Sequence, residues 1–189
     1  MLSAADPVTW RPQRIAIAGV TGSGKSTLAK RLSSRLSLTY VEIDGLFHGP
    51  NWEPRPDFVR DVEAVISGDS WVVEWQYSAV RAKILERADT LIWLDLSTPL
   101  TLYQLTRRTV RRRLRRVELW NGNYEGPLLS FFTDSDHIVR WGIRTRNKLR
   151  GRIPAVAASN PNVRVVRLAS RRDIELWMSH VAAKPEQNS

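Results

Sequence analysis

The 189-residue sequence contains no cysteine. This absence excludes disulfide bonds, thiolate metal sites and cysteine nucleophiles, and it is compatible with a reducing compartment. Long apolar runs are missing as well, because the longest uninterrupted ones (15–18, 91–94 and 155–158) have only four residues. A membrane-spanning helix needs about 20 such residues, so the sequence predicts a protein that is not integral to a membrane.

The N-terminal segment lacks the features of an export signal. Residues 1–7 contain neither a basic start nor an apolar stretch, so we expect no signal peptide and a cytoplasmic location. The apolar share of 42% and the charged share of 25% are those of a folded protein. At this length we expect one domain covering residues 1–189.

Acidic residues are scarce in one stretch. The whole chain carries a net charge of +10, and residues 107–152 hold 13 basic but only four acidic side chains. Twelve of those 13 are arginines, whose forked guanidinium groups suit phosphate and carboxylate. Either this stretch is a solvated basic surface, or it holds a polyanion.

Strand-like and helix-like segments alternate along the chain, which predicts an α/β fold with a mostly parallel sheet. The predicted strands are short, apolar and rich in β-branched or aromatic residues, as strands covered on both faces should be. They are 14–18, 39–43, 71–75, 90–96 and 163–168. Helices are predicted between them, and residues 1–13 are expected to be a loose lead-in.

One predicted helix carries most of the arginines. It begins at Thr98-Pro99 and runs to about Val117, followed by a stretch without helical or strand periodicity at 118–133. Such a stretch is typical of a lid or a linker. The expected inward-facing residues of the helix are Tyr103, Thr106, Val110, Leu114 and Val117.

The strongest functional motif is the segment 19–27, which fits G-x-x-x-x-G-K-[ST] between a predicted strand and a predicted helix. In such a loop, glycines allow consecutive backbone N–H groups to turn toward phosphate oxygens, and the helix N-terminus adds its positive dipole end. The predicted nucleotide-binding residues are Gly19, Thr21, Gly22, Ser23, Gly24, Lys25, Ser26 and Thr27.

Two residues of this motif have specific predicted roles. Lys25 is expected to reach the β- and γ-phosphates, and Ser26 to place its hydroxyl on Mg²⁺. The motif therefore predicts binding of a nucleoside triphosphate with magnesium. The alternative is a glycine turn in which the lysine and serine are incidental.

Carboxylates follow two predicted strands at the sheet edge where open α/β sheets bind ligands. Asp44 is predicted to end the second strand and either to accept a proton from an acceptor hydroxyl or to hold a Mg²⁺-bound water. Glu74 ends the third strand and is a candidate for the metal site together with Ser26. The structural alternatives are a carboxylate that caps a turn and an ordinary turn residue.

Arginines and tryptophans supply further candidates. Arg108, Arg112, Arg140 and Arg144 flank the predicted lid and could neutralise the charge of a transferred phosphoryl group. Trp52, Trp75, Trp120 and Trp141 could stack on a flat acceptor or anchor mobile segments by packing. The three histidines show no metal-binding spacing.

Several segments together resemble a known group. The chain is similar to small P-loop kinases of the adenylate kinase-like type, and in particular to the topology-modulation branch of ATP-binding proteins. The matching segments are Gly19–Thr27, Val41–Asp44 with Asn51-Trp52, Trp71–Ser78, Arg87–Asp95 and Glu118–Glu125. The resemblance covers residues 15–168.

This resemblance implies a three-layer fold around a five-stranded parallel sheet of order 2-3-1-4-5. It also implies a core of residues 14–44, 70–117 and 153–183, an acceptor-side flap at 45–69 and an Arg-rich lid region at 118–152. Two departures from the pattern stand out: Glu74-Trp75-Gln76 replaces an Asp-Gly-Asn sequence, and Gln104 replaces the first arginine of the lid-entry helix.

The resulting hypothesis is an ATP- and Mg²⁺-dependent kinase that phosphorylates a small molecule, with a nucleotide as one candidate acceptor. Two alternatives remain. One is a nucleotide-regulated protein that binds RNA or DNA through residues 107–152. The other is a phosphotransferase acting on an antibiotic or a macromolecular hydroxyl. The sequence does not predict the oligomeric state.

Overall fold

The computed structural model describes residues 1–124 and 148–182. Its strands are all parallel and form one sheet, and the predicted order 2-3-1-4-5 is confirmed. The strands are β1 (Arg14–Gly19), β2 (Thr39–Tyr40), β3 (Trp71–Glu74), β4 (Thr90–Leu94) and β5 (Arg164–Leu168).

Helices connect these strands within the described part of the chain. They are α1 (Lys25–Leu36), α2 (Ile43–Phe47), α3 (Phe58–Ile66), α4 (Ser78–Arg87), α5 (Thr98–Leu114), α6 (Lys148–Ser159) and α7 (Arg171–Ala182). Two short 3₁₀ turns lie at Pro50–Trp52 and Trp120–Gly122. None of the described helices is long and apolar enough to cross a membrane.

Helices cover both faces of the sheet. Residues 15–18 of the central strand β1 are completely buried, which explains their unbroken apolar run. On one face, α3, α4 and α6 pack on the even-numbered residues of β1 and the odd-numbered residues of β3. On the other face, α1 and α7 pack on Ile15 and Ile17, with Trp177 of α7 fully buried.

The second strand is shorter than predicted. It ends at Tyr40, and Ile43 and Asp44 belong to the one-turn helix α2. Ile43 is buried, and a short apolar run alone does not distinguish a strand from a buried helical turn. Asp44 therefore lies in the first turn of α2 and not at the end of a strand.

The predicted inward face of α5 is wrong. Its buried residues are Thr101, Leu105 and Thr109, whereas Tyr103 and Leu114 are 63% and 74% exposed. The buried face contacts the phosphate-loop motif, because a Cβ atom at Gly22 would lie 2.4 Å from the Thr101 carbonyl oxygen. Because this face consists mostly of threonines, a search of the sequence for large apolar residues does not identify it.

The N-terminal segment is ordered, contrary to the predicted loose lead-in. Leu2 forms a parallel bridge opposite Val166 at the β5 edge, in which its N–H donates to the Val165 carbonyl oxygen (2.7 Å) and its carbonyl oxygen accepts from the Arg167 N–H (2.9 Å). The Trp10 indole N–H donates to the Thr90 hydroxyl at 2.8 Å. This segment therefore covers an edge strand of the sheet.

Candidate active site at the phosphate loop and the neighbouring strand ends

The loop between β1 and α1 has the backbone conformation that the motif requires. Gly22 (φ 83°) and Gly24 (φ 90°) occupy the left-handed region, where a side chain would be strained. A Cβ atom at Gly24 would meet no atom within 4 Å. The Ser23 Oγ is buried and has no hydrogen-bond partner among the described residues. The free space at Gly24 and the adjacent Ser23 hydroxyl, which has no partner among the described residues, together form a suitable environment for phosphate oxygens.

Lys25 begins α1 and folds back over the loop. Its Nζ donates to the carbonyl oxygens of Gly19 (3.1 Å) and Val20 (3.4 Å). Desolvation lowers the pKa of Lys25, whereas the nearby Asp44 and Glu74 carboxylates raise it and Arg108 lowers it. The lysine therefore shares one electrostatic environment with three other predicted site residues.

Glu74 is almost fully buried at the end of β3. Its Oε1 accepts from the Tyr40 hydroxyl at 2.9 Å, and its Oε2 accepts from the Ile43 N–H at 3.4 Å. Burial raises the pKa of Glu74, while hydrogen bonds from Tyr40, Ile43 and Ser26 oppose this shift. Burial also raises the pKa of Tyr40, so this phenol remains a donor to Glu74.

A hydroxyl next to a carboxylate matches what Mg²⁺ requires, since this ion prefers oxygen ligands and retains several waters. Ser26 and Glu74 therefore fit the predicted metal site. Among residues 1–124 and 148–182, no group of three or more histidine, aspartate or glutamate residues could enclose an ion. A water-rich site that includes phosphate oxygens does not need such a group.

Asp44 is fixed by two residues that follow β3. Its Oδ1 accepts from Gln76 Nε2 at 2.5 Å and from the Tyr77 hydroxyl at 2.7 Å. Tyr77 adopts φ 58° and ψ 111°, a rare conformation for a non-glycine residue. The His48 Nε2 lies 3.3 Å from the same hydroxyl. Both of these hydrogen bonds use Oδ1, so neither of them engages Oδ2.

Trp75 is a core residue and not an exposed surface on which a flat acceptor could stack. Its side chain is 4% exposed and packs in the core cluster with α4 and α6. The indole N–H donates to the Arg81 carbonyl oxygen at 3.1 Å. The replacement of glycine by tryptophan therefore adds core packing and leaves Glu74 and Gln76 at the site.

The predicted arginines have different positions. Arg108 is partly buried and acts electrostatically on Lys25, while the Arg112 guanidinium lies 5.9 Å from the Trp120 ring centroid. Arg107, Arg111, Arg113, Arg115 and Arg116 are exposed. Arg140 and Arg144, like Trp141, fall outside the described residues.

Gln104 connects the phosphate loop to α7. In the amide orientation that satisfies its neighbours, its nitrogen donates to the Gly22 carbonyl (2.6 Å) and its oxygen accepts from Arg171 (2.9 Å). An arginine here could not accept a hydrogen bond from Arg171. Two other residues of the phosphate-loop motif differ in burial: Thr21 is partly buried, and Thr27 is exposed.

Sequence reasoning missed several residues that shape this site: Tyr40, His48, Gln76, Tyr77 and Asn123. Gln76 and Tyr77 had a usable signal, since they directly follow Glu74 at the ligand edge of the sheet. Tyr40, His48 and Asn123 reach the site through contacts distant in sequence, which no local pattern indicates.

The chain is similar in sequence to one known kinase and in fold to others. A shikimate kinase from Nitrobacter winogradskyi is 30% identical over 122 residues, which cover 55% of this chain and 56% of that protein. The chain thus matches just over half the length of this curated relative. No family model matches the chain.

Two solved structures are similar over most of their length. A gluconokinase from Sinorhizobium meliloti 1021 gives a TM-score of 0.51 with 18% identity, covering 92% of this chain and 94% of that one. A shikimate kinase from Acinetobacter baumannii, in complex with shikimate, gives 0.53 with 15% identity, covering 90% and 91%. The fold is therefore that of the P-loop kinases. The resemblance to the topology-modulation branch stays a prediction.

Proposed function

We propose that this protein is an ATP-dependent kinase that transfers the γ-phosphoryl group of ATP to a hydroxyl group of a small-molecule acceptor. The observation that carries the proposal is the convergence of Lys25, Asp44, Glu74 and Arg108 beside a glycine loop with an open backbone position. Phosphoryl transfer depends mainly on positioning and on stabilising charge, and these residues supply both.

The proposed roles follow from the contacts. The loop amides and Lys25 bind the triphosphate. Asp44, held by Gln76 and Tyr77, orients the acceptor hydroxyl and accepts its proton. Arg108 and Arg112 offset the negative charge of the transferred group. The Ser26 hydroxyl and the Glu74 carboxylate would hold Mg²⁺, which neutralises phosphate charge when bound.

A pair of arginines supports an acidic acceptor. The Arg81 guanidinium lies 5.3 Å from the Trp75 ring centroid, and among the described residues its buried Nε has no hydrogen-bond partner. Desolvation and the neighbouring Arg152 both lower the pKa of Arg81. Within the described part of the chain, neither arginine forms an ion pair with a carboxylate. We propose that they bind a carboxylate or phosphate group of the acceptor.

A transfer assay with γ-³²P-labelled ATP tests the proposal. The acceptor panel contains nucleotides, hydroxylated sugar acids, shikimate, aminoglycosides and tRNA, and each acid is matched with its neutral ester or amide. We expect a labelled product from an acid, and we expect Arg81→Gln to raise the KM for the acid more than for its neutral match. Transfer to water alone across the whole panel would contradict the kinase proposal.

The nucleic-acid alternative lacks a second supporting observation. Three arginines of α5 and the two that directly follow it are exposed, as on any solvated basic helix, but Arg108 acts electrostatically on Lys25. The tRNA arm of the panel, combined with binding measured at about 50 mM salt where phosphate contacts are strongest, tests this alternative directly.

A further inference from the structure

Two short turns, distant in sequence, lie against each other next to Asp44. The first, here called the flap turn, comprises residues 48–54 and is closed by an antiparallel bridge between His48 and Pro54. The second, the Trp120 turn, comprises residues 118–124 and is closed by a bridge between Glu118 and Tyr124. Each contains an asparagine at positive φ, Asn51 at 57° and Asn121 at 55°.

Asn123 joins the two turns. Its side chain is 4% exposed, and its Oδ1 accepts from the Trp52 backbone N–H at 2.9 Å. Its Nδ2 donates to the carbonyl oxygens of Gly49 and Trp120, both at 2.8 Å. Three of the four possible hydrogen bonds of this amide are thus made, and two of them cross between the turns.

Asn121 adds a second connection. From an exposed position, its Nδ2 donates to the carbonyl oxygens of Gly45 (3.2 Å) and His48 (2.5 Å). Trp120 lies so close to Gly45 that a Cβ atom there would be 2.9 Å from the indole. A glycine inside helix α2 is therefore explained by the packing of the Trp120 turn.

Ring contacts extend this connection in both directions. Trp120 stacks on His48 with ring centroids 6.1 Å apart, and His48 reaches the Tyr77 hydroxyl that donates to Asp44. Trp120 also lies under the guanidinium of Arg112. The Trp120 turn thus contacts both the acceptor side and the arginine helix α5.

We propose that Asn123 is a positioning residue that makes the flap turn and the Trp120 turn move as one unit. Nucleotide binding, which draws the arginines of α5 toward phosphate, is then transmitted to the flap beside Asp44. This coupling rests on the proposed function, since it requires a nucleotide on the phosphate loop. Asn123 itself touches neither the nucleotide nor Asp44 in this arrangement, so its effect is indirect.

Amide hydrogen exchange measured by NMR tests the coupling, with the Trp52 N–H as reporter because a side chain of the other turn protects it. In the nucleotide-free protein, Asn123→Ala should speed Trp52 exchange at least tenfold. Asn160→Ala is the matched control, because it removes one amide-to-carbonyl bond (to Val156, 2.8 Å) at the end of α6. Unchanged Trp52 exchange in Asn123→Ala would overturn the proposal.

The second arm adds Mg²⁺ and the non-hydrolysable analogue AMP-PNP. In the wild type, the analogue should slow exchange at Leu28 in α1, at Trp52 and at Gly49. In Asn123→Ala it should slow exchange at Leu28 but neither at Trp52 nor at the Gly49 N–H. The Gly49 N–H donates to the Glu53 carbonyl within the flap turn at 2.7 Å, so its exchange is not changed by the mere loss of the Asn123 acceptor. Equal slowing at Trp52 in both proteins would contradict the coupling.

Two controls separate the possible failures. If the analogue leaves Leu28 unchanged in the wild type, the proposed function fails, while the nucleotide-free comparison still decides the role of Asn123. If Asn123→Ala does not fold, Asn121→Ala replaces it, because it removes the two bonds to Gly45 and His48 from an exposed position. Trp52 protection by the analogue should then weaken, and full retention would overturn the coupling.

Discussion

The phosphate loop and the proposed acceptor side of the site are built in different ways. The loop is one continuous segment, residues 19–27, whose glycines and lysine act on backbone groups a few residues away. The acceptor side is assembled from the α2–flap region, the end of β3 and the Trp120 turn. A continuous motif can be recognised in a sequence, whereas an assembled site becomes visible only after folding.

The largest effect on activity is expected at the phosphate loop. Lys25→Met should lower phosphoryl transfer about 10³-fold, because the ammonium group that meets the phosphates is lost. Lys30→Met, at an exposed position of the same helix, is the control and should retain activity. Transfer rates from labelled ATP and circular dichroism of both variants check this. Full activity in folded Lys25→Met would refute the assigned role.

The next largest effect on activity is expected on the proposed acceptor side. Asp44→Asn should lower kcat about 10²-fold through the loss of a proton acceptor, with little change in ATP affinity. Asp69→Asn, an exposed carboxylate on the loop before β3, should behave as the wild type. Steady-state kinetics on the acceptor found in the transfer assay, together with calorimetry of ATP binding, measure both quantities. An equal loss of ATP affinity would show that Asp44 belongs to the nucleotide side.

A third pair of variants tests how α5 meets the loop. Leu105→Ala should reduce the free energy of unfolding by about 2–5 kcal/mol, because Leu105 is fully buried beside Gly22. Leu114→Ala should change it by less than about 0.5 kcal/mol, because Leu114 is 74% exposed. Urea unfolding distinguishes the two. A larger loss of stability in Leu114→Ala than in Leu105→Ala would instead support the inward face that was predicted from the sequence.

The smallest effect concerns a local feature far from the site. Asp173 accepts hydrogen bonds from the N–H groups of Ala169 and Ser170 at the start of α7, and Ser170 Oγ accepts from the Asp173 N–H. These reciprocal hydrogen bonds form a capping box, whose sequence signature is a serine followed three residues later by an acidic residue. Asp173→Asn should cost about 1 kcal/mol of unfolding free energy at neutral pH.

The pH dependence of this effect has a definite sign. Hydrogen bonds from Ser170 and Ala169 lower the pKa of Asp173 from its ordinary value of 3.8. A lowered folded-state pKa stabilises the protein above the unfolded-state value, and this contribution is lost as the pH falls through the folded-state pKa. The difference between wild type and Asp173→Asn should therefore shrink below about pH 3.8. A difference that grows on acidification would contradict the assignment.

Much of the fold was predictable because its signals are local. Apolar runs such as 15–18 and 91–94 are strands buried on both faces, the motif at 19–27 joins β1 to α1, and the capping box begins α7. The sheet order came from the resemblance and is confirmed. The sequence did not show where β2 ends and the helical turn containing Asp44 begins, because a buried isoleucine is compatible with a strand and with a helical turn.

The acceptor side was predicted only in part. Asp44, Glu74 and Arg108 do come together with Lys25, but their partners Tyr40, Gln76 and Tyr77 were not foreseen. Asn123 looked like one residue of a non-periodic stretch, and its burial depends on Gly49 and Trp52, more than 70 positions away. The prediction of the buried face of α5 was wrong, because that face is made of threonines and one leucine.

Calorimetric titration of the protein with Mg·ATP tests the central claim most directly, namely that the loop between β1 and α1 binds a nucleoside triphosphate. The wild type should show saturable binding at one site per chain, and Gly24→Val should show none while keeping a cooperative unfolding transition. Absence of binding to the wild type, or equal binding to both proteins, would contradict the claim.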